Sequence, residues 1–136
     1  LTGSTTVCQY TANPQLTFSA SNGTAPYTID YTVNGGNQSI SSPGASTVLP
    51  ISTSTATTYT HSLVSITDTY GCTQTQTGTT TVRINPAAQG DVSGSTVVCQ
   101  NTPSPNIIFT GSNGDYLYRF SYKVNGGITN TVSTAG

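Results

Sequence analysis

Few residues in this sequence could carry out acid–base or nucleophilic chemistry. His61 is the only histidine, and the four acidic residues are all aspartates. A serine or cysteine nucleophile needs an adjacent base to activate it. His61 shares one face of a predicted strand with Tyr59 and Leu63, so we interpret it as a packed or edge-exposed imidazole rather than a general base. The sequence therefore predicts no Ser/His/Asp or Cys/His site and no enzymatic activity.

The aspartates do not form the pairs or clusters that hydrolysis and metal binding require. A glycosidase would need two carboxylates that face each other across the substrate. Asp30 is predicted on the outer face of a strand, whereas Asp68 begins a turn, where its side chain is expected to cap backbone N–H groups. No Cys or His spacing indicates zinc, and Asp91 with nearby loop carbonyls offers at most a weak calcium site. We expect no cofactor and no dedicated metal site.

The cysteines predict a disulfide bond. Cys8 lies in the first predicted strand and Cys72 at the start of the last, and the first and last strands of a sandwich often lie close enough for a bridge. A bond between Cys8 and Cys72 would stabilise the domain by about 4 kcal/mol on the chain-entropy model, and it would indicate an oxidising compartment. Two free buried thiols are the alternative.

Composition excludes two classes of partner. Charged residues make up 5% of the chain, against roughly 25% in an average soluble domain. The three cations, Arg83, Arg119 and Lys123, are too few to displace counterions from phosphates, so we expect no nucleic-acid partner. No window approaches eighteen apolar residues, so we expect no membrane insertion. Ser and Thr supply 45 of the 136 residues, but 33% apolar residues, eight Tyr and many β-branched side chains favour packed β-structure over disorder.

An internal repeat with an offset of 91 residues organises the chain. The segment GSTTVCQ at 3–9 returns as GSTVVCQ at 94–100, and without a gap 18 of 34 positions match from residue 3 onward. The breaker NPAAQG at 85–90 separates the copies. We predict a complete repeat over 1–89 and the first half of a second repeat over 90–136. Cys99 is the copy of Cys8, so its disulfide partner is expected outside this segment.

Each repeat is predicted to consist of short strands in which apolar and polar residues alternate. The pair Asn34–Gly35 and its copy Asn125–Gly126 supply the positive φ angles of a tight hairpin turn. About seven strands in about 90 residues, with no helical period, predict an all-β, immunoglobulin-like β-sandwich. The clearest inner rows are Tyr27, Ile29, Tyr31 and Val33 in the first repeat, and Tyr118, Phe120, Tyr122 and Val124 in the second.

The second half of the first repeat is predicted to contain a longer hairpin. Residues 59–68 and 73–84 alternate like two strands around a turn at 69–71. In the first of these strands the apolar phase changes between Leu63 and Val64, which predicts a β-bulge there.

These motifs also carry a resemblance to a known family. The segments are GSTTVCQ at 3–9, SNGTAPYT at 21–28, VNGG at 33–36, LVSITDTYGCT at 63–73 and VRINP at 82–86. The chain as a whole resembles the PKD-like, Ig-like tandem repeats of giant secreted surface proteins of Bacteroidota. Such repeats occur in gliding-motility-associated adhesins and other proteins exported by type IX secretion. The resemblance implies a PKD-like sandwich at the cell surface; His61 departs from it, since the family favours an aromatic there.

The expected function is that of a non-enzymatic structural and adhesive module in a rod-like extracellular stalk or filament. The expected partners are neighbouring repeats or identical subunits, with surface glycans or other cells as a further class. Two alternatives stay open. The chain could be a subunit of a fibre completed by strand exchange, or a carbohydrate-binding accessory module, which the absence of Trp disfavours.

One loop tip is the first candidate for a surface contact. The two repeats differ there, with TAP at 24–26 replaced by Asp115, Tyr116 and Leu117. Binding residues often lie on loops that a rigid scaffold positions. Ordinary solvent-exposed loop residues are the alternative interpretation of this tip.

Overall fold

The computed structural model of the protein describes residues 1–114 and 117–134. The chain divides into two compact units, Leu1–Pro86 and Ala87–Gly136, hereafter unit 1 and unit 2. Their boundary lies within the breaker at 85–90, whereas the repeat-based boundary is at residue 89. No helix occurs in the described ranges, so the protein is all-β, as predicted.

Residues 1–86 are all described and form eight strands in two sheets. One sheet has the order β1-β8-β6-β3-β4, with β7 also paired to β6, and the other consists of β2 and β5. The strands are β1 (Thr5–Cys8), β2 (Gln15–Ser19), β3 (Tyr27–Val33), β4 (Gly36–Ser42), β5 (Ser46–Pro50), β6 (Thr58–Thr67), β7 (Thr73–Thr75) and β8 (Thr79–Asn85).

The core of unit 1 combines side chains from both sheets. Phe18 on β2 packs against Tyr31 on β3, with their ring centroids 5.0 Å apart. Burial of such apolar side chains supplies most of the favourable free energy of folding. The inner row predicted on β3 is confirmed, since its first three members are buried. The buried apolar residues are Leu16, Phe18, Tyr27, Ile29, Tyr31, Ile51, Val82 and Ile84.

The hairpin between β3 and β4 has the predicted tight turn. Val33 pairs with Gly36, and the two residues between them have positive φ angles, 48° at Asn34 and 87° at Gly35. Glycine and asparagine are the residues that adopt this conformation most readily. The Asn34 side chain also holds the turn against β6, because its Oδ1 accepts a hydrogen bond of 2.8 Å from the Thr60 N–H.

The predicted bulge is confirmed on β6. Asp30 pairs with Ser65 whereas Tyr31 pairs with Leu63, which leaves Val64 as the extra residue. The long strand predicted over 73–84 is wrong, because residues 76–78 separate β7 from β8. The break lies opposite the bulge. Backbone hydrogen bonds of 2.8 Å flank it on both sides, from Gln76 N to the Val64 carbonyl and from Leu63 N to the Gly78 carbonyl.

The first and last strands of unit 1 run in the same direction. β1 pairs with β8 in parallel, and their register matches Thr5 with Val82 and Cys8 with Asn85. The other strand pairs in this unit are antiparallel. The chain therefore enters unit 1 towards one end of the sheet and leaves it at the other.

The described residues of unit 2 form two separate hairpins. β9 (Gln89–Ser93) pairs with β10 (Ile108–Ser112), and β11 (Arg119–Lys123) pairs with β12 (Thr129–Ser133). Three aromatic rings lie close together on them, with centroids 5.5 Å apart for Phe109 and Phe120 and 5.0 Å apart for Phe109 and Tyr122. None of the unit 2 side chains that the structure describes is buried.

Candidate functional site

A polar cleft opens at one end of unit 1. Its volume is about 450 Å³, and it lies between the loop at 21–23 and the turn that follows β6. The cleft is lined by hydroxyl and amide side chains, one carboxylate, one thiol, one glycine and the apolar side chain of Ile66. The lining residues are Ser21, Asn22, Gly23, Tyr27, Ile66, Asp68, Cys72, Thr73, Gln74 and Gln76.

Asp68 holds the turn that forms one wall of the cleft. Its Oδ1 accepts hydrogen bonds from the backbone N–H groups of Tyr70 at 2.9 Å and Cys72 at 3.0 Å. Its Oδ2 accepts a longer one, 3.4 Å, from the N–H of Thr24. The N–H of Cys72 above all, with those of Thr24 and Tyr70, lowers the pKa of Asp68 from its usual value. Asp68 therefore has the capping role that the sequence predicts.

Tyr27 fixes the opposite wall. Its hydroxyl donates hydrogen bonds to the carbonyls of Asn22 at 3.2 Å and Gly23 at 3.0 Å. Gly23 has a φ of 79°, and a Cβ placed on it would lie 3.1 Å from Asp68 Oδ2. The loop thus approaches the carboxylate more closely than a larger residue would allow. Both walls of the cleft are held by hydrogen bonds within unit 1.

The cleft offers hydrogen-bonding groups rather than a free carboxylate or an imidazole. Its one carboxylate is already used by backbone N–H groups, and no histidine lines it. General acid–base catalysis needs a titratable group within hydrogen-bonding distance of the reacting atom. Throughout residues 1–114 and 117–134 there is also no group of three or more His, Cys, Asp or Glu side chains that could hold a metal ion.

His61 lies in the core and not in the cleft. Its ring is 1% exposed and is flanked by Tyr31 and Tyr59, whose ring centroids are each 6.3 Å away. Burial lowers the pKa of His61 because the charged imidazolium loses its hydration. Its Nδ1 has no hydrogen-bond partner among the described residues. The packed imidazole predicted from the sequence is confirmed.

The predicted Cys8–Cys72 disulfide is not formed. Cys8 pairs with Asn85, at the end of the sheet where β6 begins. Cys72 lies beyond the other end of β6, where its carbonyl accepts a hydrogen bond from the Asp68 N–H. The ten residues of β6 therefore separate them. This places them about 30 Å apart at roughly 3.3 Å per residue, whereas a disulfide needs Cα atoms within about 7 Å. Cys8, Cys72 and Cys99 are exposed free thiols, so the alternative of buried thiols is also wrong.

Comparisons with family models, with curated proteins and with solved structures found no match to this chain. Within the described residues, no helix is long and apolar enough to cross a membrane.

The loop tip predicted as a surface contact is described only in part. Leu117 is 77% exposed, as a contact residue would need to be. Asp115 and Tyr116 lie outside the described residues. Their assignment as a contact surface stays a prediction.

Sequence reasoning missed the amides of the cleft. Gln74 and Gln76 both line the cleft. Gln74 is held there by the pairing of β7 with β6, and Gln76 by the hydrogen bond from its N–H to the Val64 carbonyl. Both residues lie in a polar stretch of Thr and Gln with no apolar row to set its register. The signal that pointed to this region was Asp68, whose turn chemistry is local and can be read from the sequence.

Proposed function

We propose that this protein is a non-enzymatic structural module, a PKD-like, Ig-like sandwich repeat in an extracellular stalk or filament of a bacterial surface protein. The observation that carries the proposal is the parallel pairing of β1 with β8. Because the chain enters unit 1 at one end and leaves at the other, successive repeats can be joined end to end without a long connection. The sequence repeat and the family resemblance support the same role.

The parallel pair also suits a module under tension. A force that pulls the two ends of unit 1 apart acts along β1 and β8, from Thr5 on one strand towards Asn85 on the other. Several hydrogen bonds between the strands then bear the load together, whereas force across a hairpin would break them one at a time. Val7 pairs with Ile84 in the middle of this contact and is packed against the core.

The surface of the module fits a passive role. With 5% charged residues and a formal net charge of −1, neighbouring repeats repel each other little. Interactions between such weakly charged surfaces depend little on salt, because there are few charges to screen. The proposed partners are neighbouring repeats or identical subunits. If the module is adhesive, surface glycans or other cells are a further class of partner.

Force spectroscopy on single molecules tests the proposal. The protein is held at Leu1 and Gly136 and stretched at constant speed. Unit 1 should unfold in one high-force step that lengthens the chain by roughly 250 Å, which is the extended span of its residues less the length of the folded unit. Val7→Pro should lower the force of this step, because proline removes a backbone donor from the β1–β8 contact.

A matched substitution on the opposite edge of the same sheet serves as the control. Ser39 lies on β4, which pairs only with β3 and bears no direct tension from the chain ends. Ser39→Pro should leave the unfolding force closer to that of the unmodified protein than Val7→Pro does. If both substitutions lower the force equally, or if unit 1 extends without a force peak, the module does not resist tension through β1 and β8 and the proposal fails.

A further inference from the structure

Two Asn–Gly pairs in unit 1 have nearly the same backbone but different surroundings. The pair Asn22–Gly23 lies in the loop that forms one wall of the cleft, with φ angles of 61° and 79°. The pair Asn34–Gly35 forms the turn between β3 and β4, with φ angles of 48° and 87°. Both asparagines are exposed to solvent. The two pairs are therefore a matched comparison within one folded unit.

An asparagine followed by a glycine can modify itself. The backbone nitrogen of the glycine attacks the side-chain carbonyl carbon of the asparagine, which closes a five-membered succinimide ring. Glycine favours this step because it has no Cβ to shield the nitrogen. The step also needs a side-chain amide that is free to turn towards that nitrogen and a backbone N–H that is not already donating a hydrogen bond.

The amide of Asn34 is held away from this reaction. Its Oδ1 accepts a hydrogen bond of 2.8 Å from the Thr60 N–H, and its Nδ2 donates one of 3.2 Å to the Thr58 carbonyl. Both partners lie on β6. To reach the Gly35 nitrogen, the amide must give up both hydrogen bonds without gaining others in their place. The pairing of this turn with β6 therefore protects Asn34.

The amide of Asn22 has no such restraint. Among residues 1–114 and 117–134, the one hydrogen bond made by Asn22 is at its backbone carbonyl, which accepts from the Tyr27 hydroxyl. The carbonyl of Gly23 also accepts from Tyr27, whereas the Gly23 N–H donates to no group in the same ranges. Asn22 therefore has both a free amide and a neighbouring nitrogen that is available to attack it.

Two neighbours act on the Gly23 nitrogen in opposite directions. Loss of its proton leaves a negative charge that is shared with the Asn22 carbonyl oxygen, and the hydrogen bond of 3.2 Å from Tyr27 stabilises that charge. The carboxylate of Asp68 opposes it by like-charge repulsion, since a Cβ on Gly23 would lie 3.1 Å from Asp68 Oδ2. Asp68 is also occupied by backbone N–H groups, so we assign it no role as a base. The proton leaves to hydroxide from the solvent, and the rate should rise with pH.

We propose that Asn22 is a self-modification site, at which the side-chain amide is converted to a carboxylate that lines the cleft with Asp68. The Gly23 nitrogen forms a bond to Cγ of Asn22, and the bond from Cγ to Nδ2 breaks. The Nδ2 group leaves as ammonia, which carries away the proton equivalent to the one lost from the Gly23 nitrogen. Water then opens the ring at either carbonyl, which gives aspartate or isoaspartate at position 22. The reaction consumes one water and needs no oxidant and no second protein.

The product changes the charge of the cleft. The formal net charge of the chain goes from −1 to −2, and the new charge lies in the cleft that already contains Asp68. Repulsion between the two carboxylates should push the loop at 21–23 away from the Asp68 turn, so this wall of the cleft becomes looser as the protein ages. The inference does not rest on the role proposed for unit 1 under tension.

Incubation of the full 136-residue chain in mildly alkaline buffer tests the site. Samples are digested at intervals, and peptide mass spectrometry follows each Asn–Gly pair separately. In the folded protein we expect Asn22 to react at least about 10-fold faster than Asn34, because the Asn34 amide must first break two hydrogen bonds. In the urea-unfolded chain the two asparagines should react at similar rates, since β6 no longer holds Asn34.

Two variants keep the test specific. Asn22→Gln adds one methylene to the side chain, which makes ring closure much less favourable, and should abolish the reaction at position 22. Asn22→Asp introduces the new charge directly. It should elute with the modified protein on anion exchange and show faster hydrogen exchange at residues 21–24 than the unmodified protein.

Several results would overturn the inference. It is wrong if Asn22 stays intact in the folded protein while the unfolded chain reacts, or if Asn34 reacts as fast as Asn22 in the folded protein. It is also wrong if the difference between them persists in urea, because the fold would then not be its cause. Unchanged hydrogen exchange in Asn22→Asp would show that the added charge does not loosen the wall. None of these outcomes bears on the force measurement, so the two proposals can fail separately.

Discussion

Tyr10 has a backbone conformation that bulky residues rarely adopt. Its φ is 66°, and its N–H donates a hydrogen bond of 3.0 Å to the Thr53 carbonyl. The side chain is 74% exposed, so core packing does not explain the choice of tyrosine. The copy of this residue in the second repeat is Asn101, with a φ of 65°. Asparagine tolerates the left-handed region better than an aromatic residue does, so Tyr10 is the strained member of the pair.

Replacing Tyr10 with the residue that its copy uses should stabilise unit 1. We expect Tyr10→Asn to raise the free energy of unfolding by about 1 kcal/mol, because the strain of a bulky residue in this region is relieved. Thermal unfolding followed by circular dichroism measures the change. Tyr70 is a suitable control, since it is also an exposed loop tyrosine, at 79%, but without a positive φ. An equal gain from Tyr70→Asn would show that strain is not the cause.

His61 should make the stability of unit 1 depend on pH. Burial lowers its folded pKa below the unfolded value of 6.5, so the unfolded chain binds a proton that the folded chain does not. Stability should therefore be constant well above pH 6.5 and fall as the pH drops from 6.5 towards the folded pKa. Urea unfolding between pH 8 and pH 5 measures this dependence.

The control is a variant without the imidazole. His61→Phe keeps an aromatic ring between Tyr31 and Tyr59 and removes the only histidine of the chain. The loss of stability between pH 6.5 and 5 should disappear in this variant. If the variant and the original protein lose stability in parallel, another group is responsible.

At the level of strands, the sequence predicted local patterns well and the pairing of distant strands poorly. The inner row of β3 and the turn at Asn34 depend on residues close in sequence, and the sequence predicted both. The separation of β7 from β8 lies opposite the bulge at Val64 in another strand. The sequence predicted the bulge but did not predict this separation. The predicted position of Cys72 is wrong for the same reason. The sequence placed Cys72 at the start of the last strand, whereas in the structure it precedes β7. Which strands are neighbours is decided by packing across the whole unit.

The inner row of β8 should contribute strongly to the stability of unit 1. Val82 is 0% exposed and lies between the β1 and β6 partners of that strand. Val82→Ala should lower the free energy of unfolding by about 2 kcal/mol through lost burial and a small cavity. Val48→Ala removes the same atoms from a residue of β5 that is 49% exposed and should cost less than about 1 kcal/mol. Urea unfolding of both variants gives the comparison, and equal losses would contradict the position of the core.

At the scale of the whole molecule, the thiols report on how the chain is folded. Cys8, Cys72 and Cys99 are all free and exposed, and the two in unit 1 are held at opposite ends of its larger sheet. The sequence suggested a bond between them because it shows which strands are first and last but not how far each strand extends. Stability of unit 1 therefore comes from its core and its hydrogen bonds without a covalent link.

Labelling of the native protein with a maleimide should modify three thiols per chain. The expected result follows from the exposure of all three cysteines, and intact mass spectrometry counts the labels. Cys8→Ser should reduce the count to two. If Cys8 and Cys72 were bonded, the unmodified protein would take one label and Cys8→Ser would raise the count by releasing Cys72, which would overturn the strand positions described above.

The common direction of β1 and β8 has a consequence for how such a chain can change over generations. Since unit 1 begins and finishes at opposite ends of its larger sheet, a unit of this kind can be inserted or deleted in frame at a junction such as residues 85–90 without altering the order of strands in its neighbours. Repeats that match at 18 of 34 positions offer stretches of similar coding sequence for unequal recombination. The number of repeats is then a heritable variable that can be adjusted in single genetic steps.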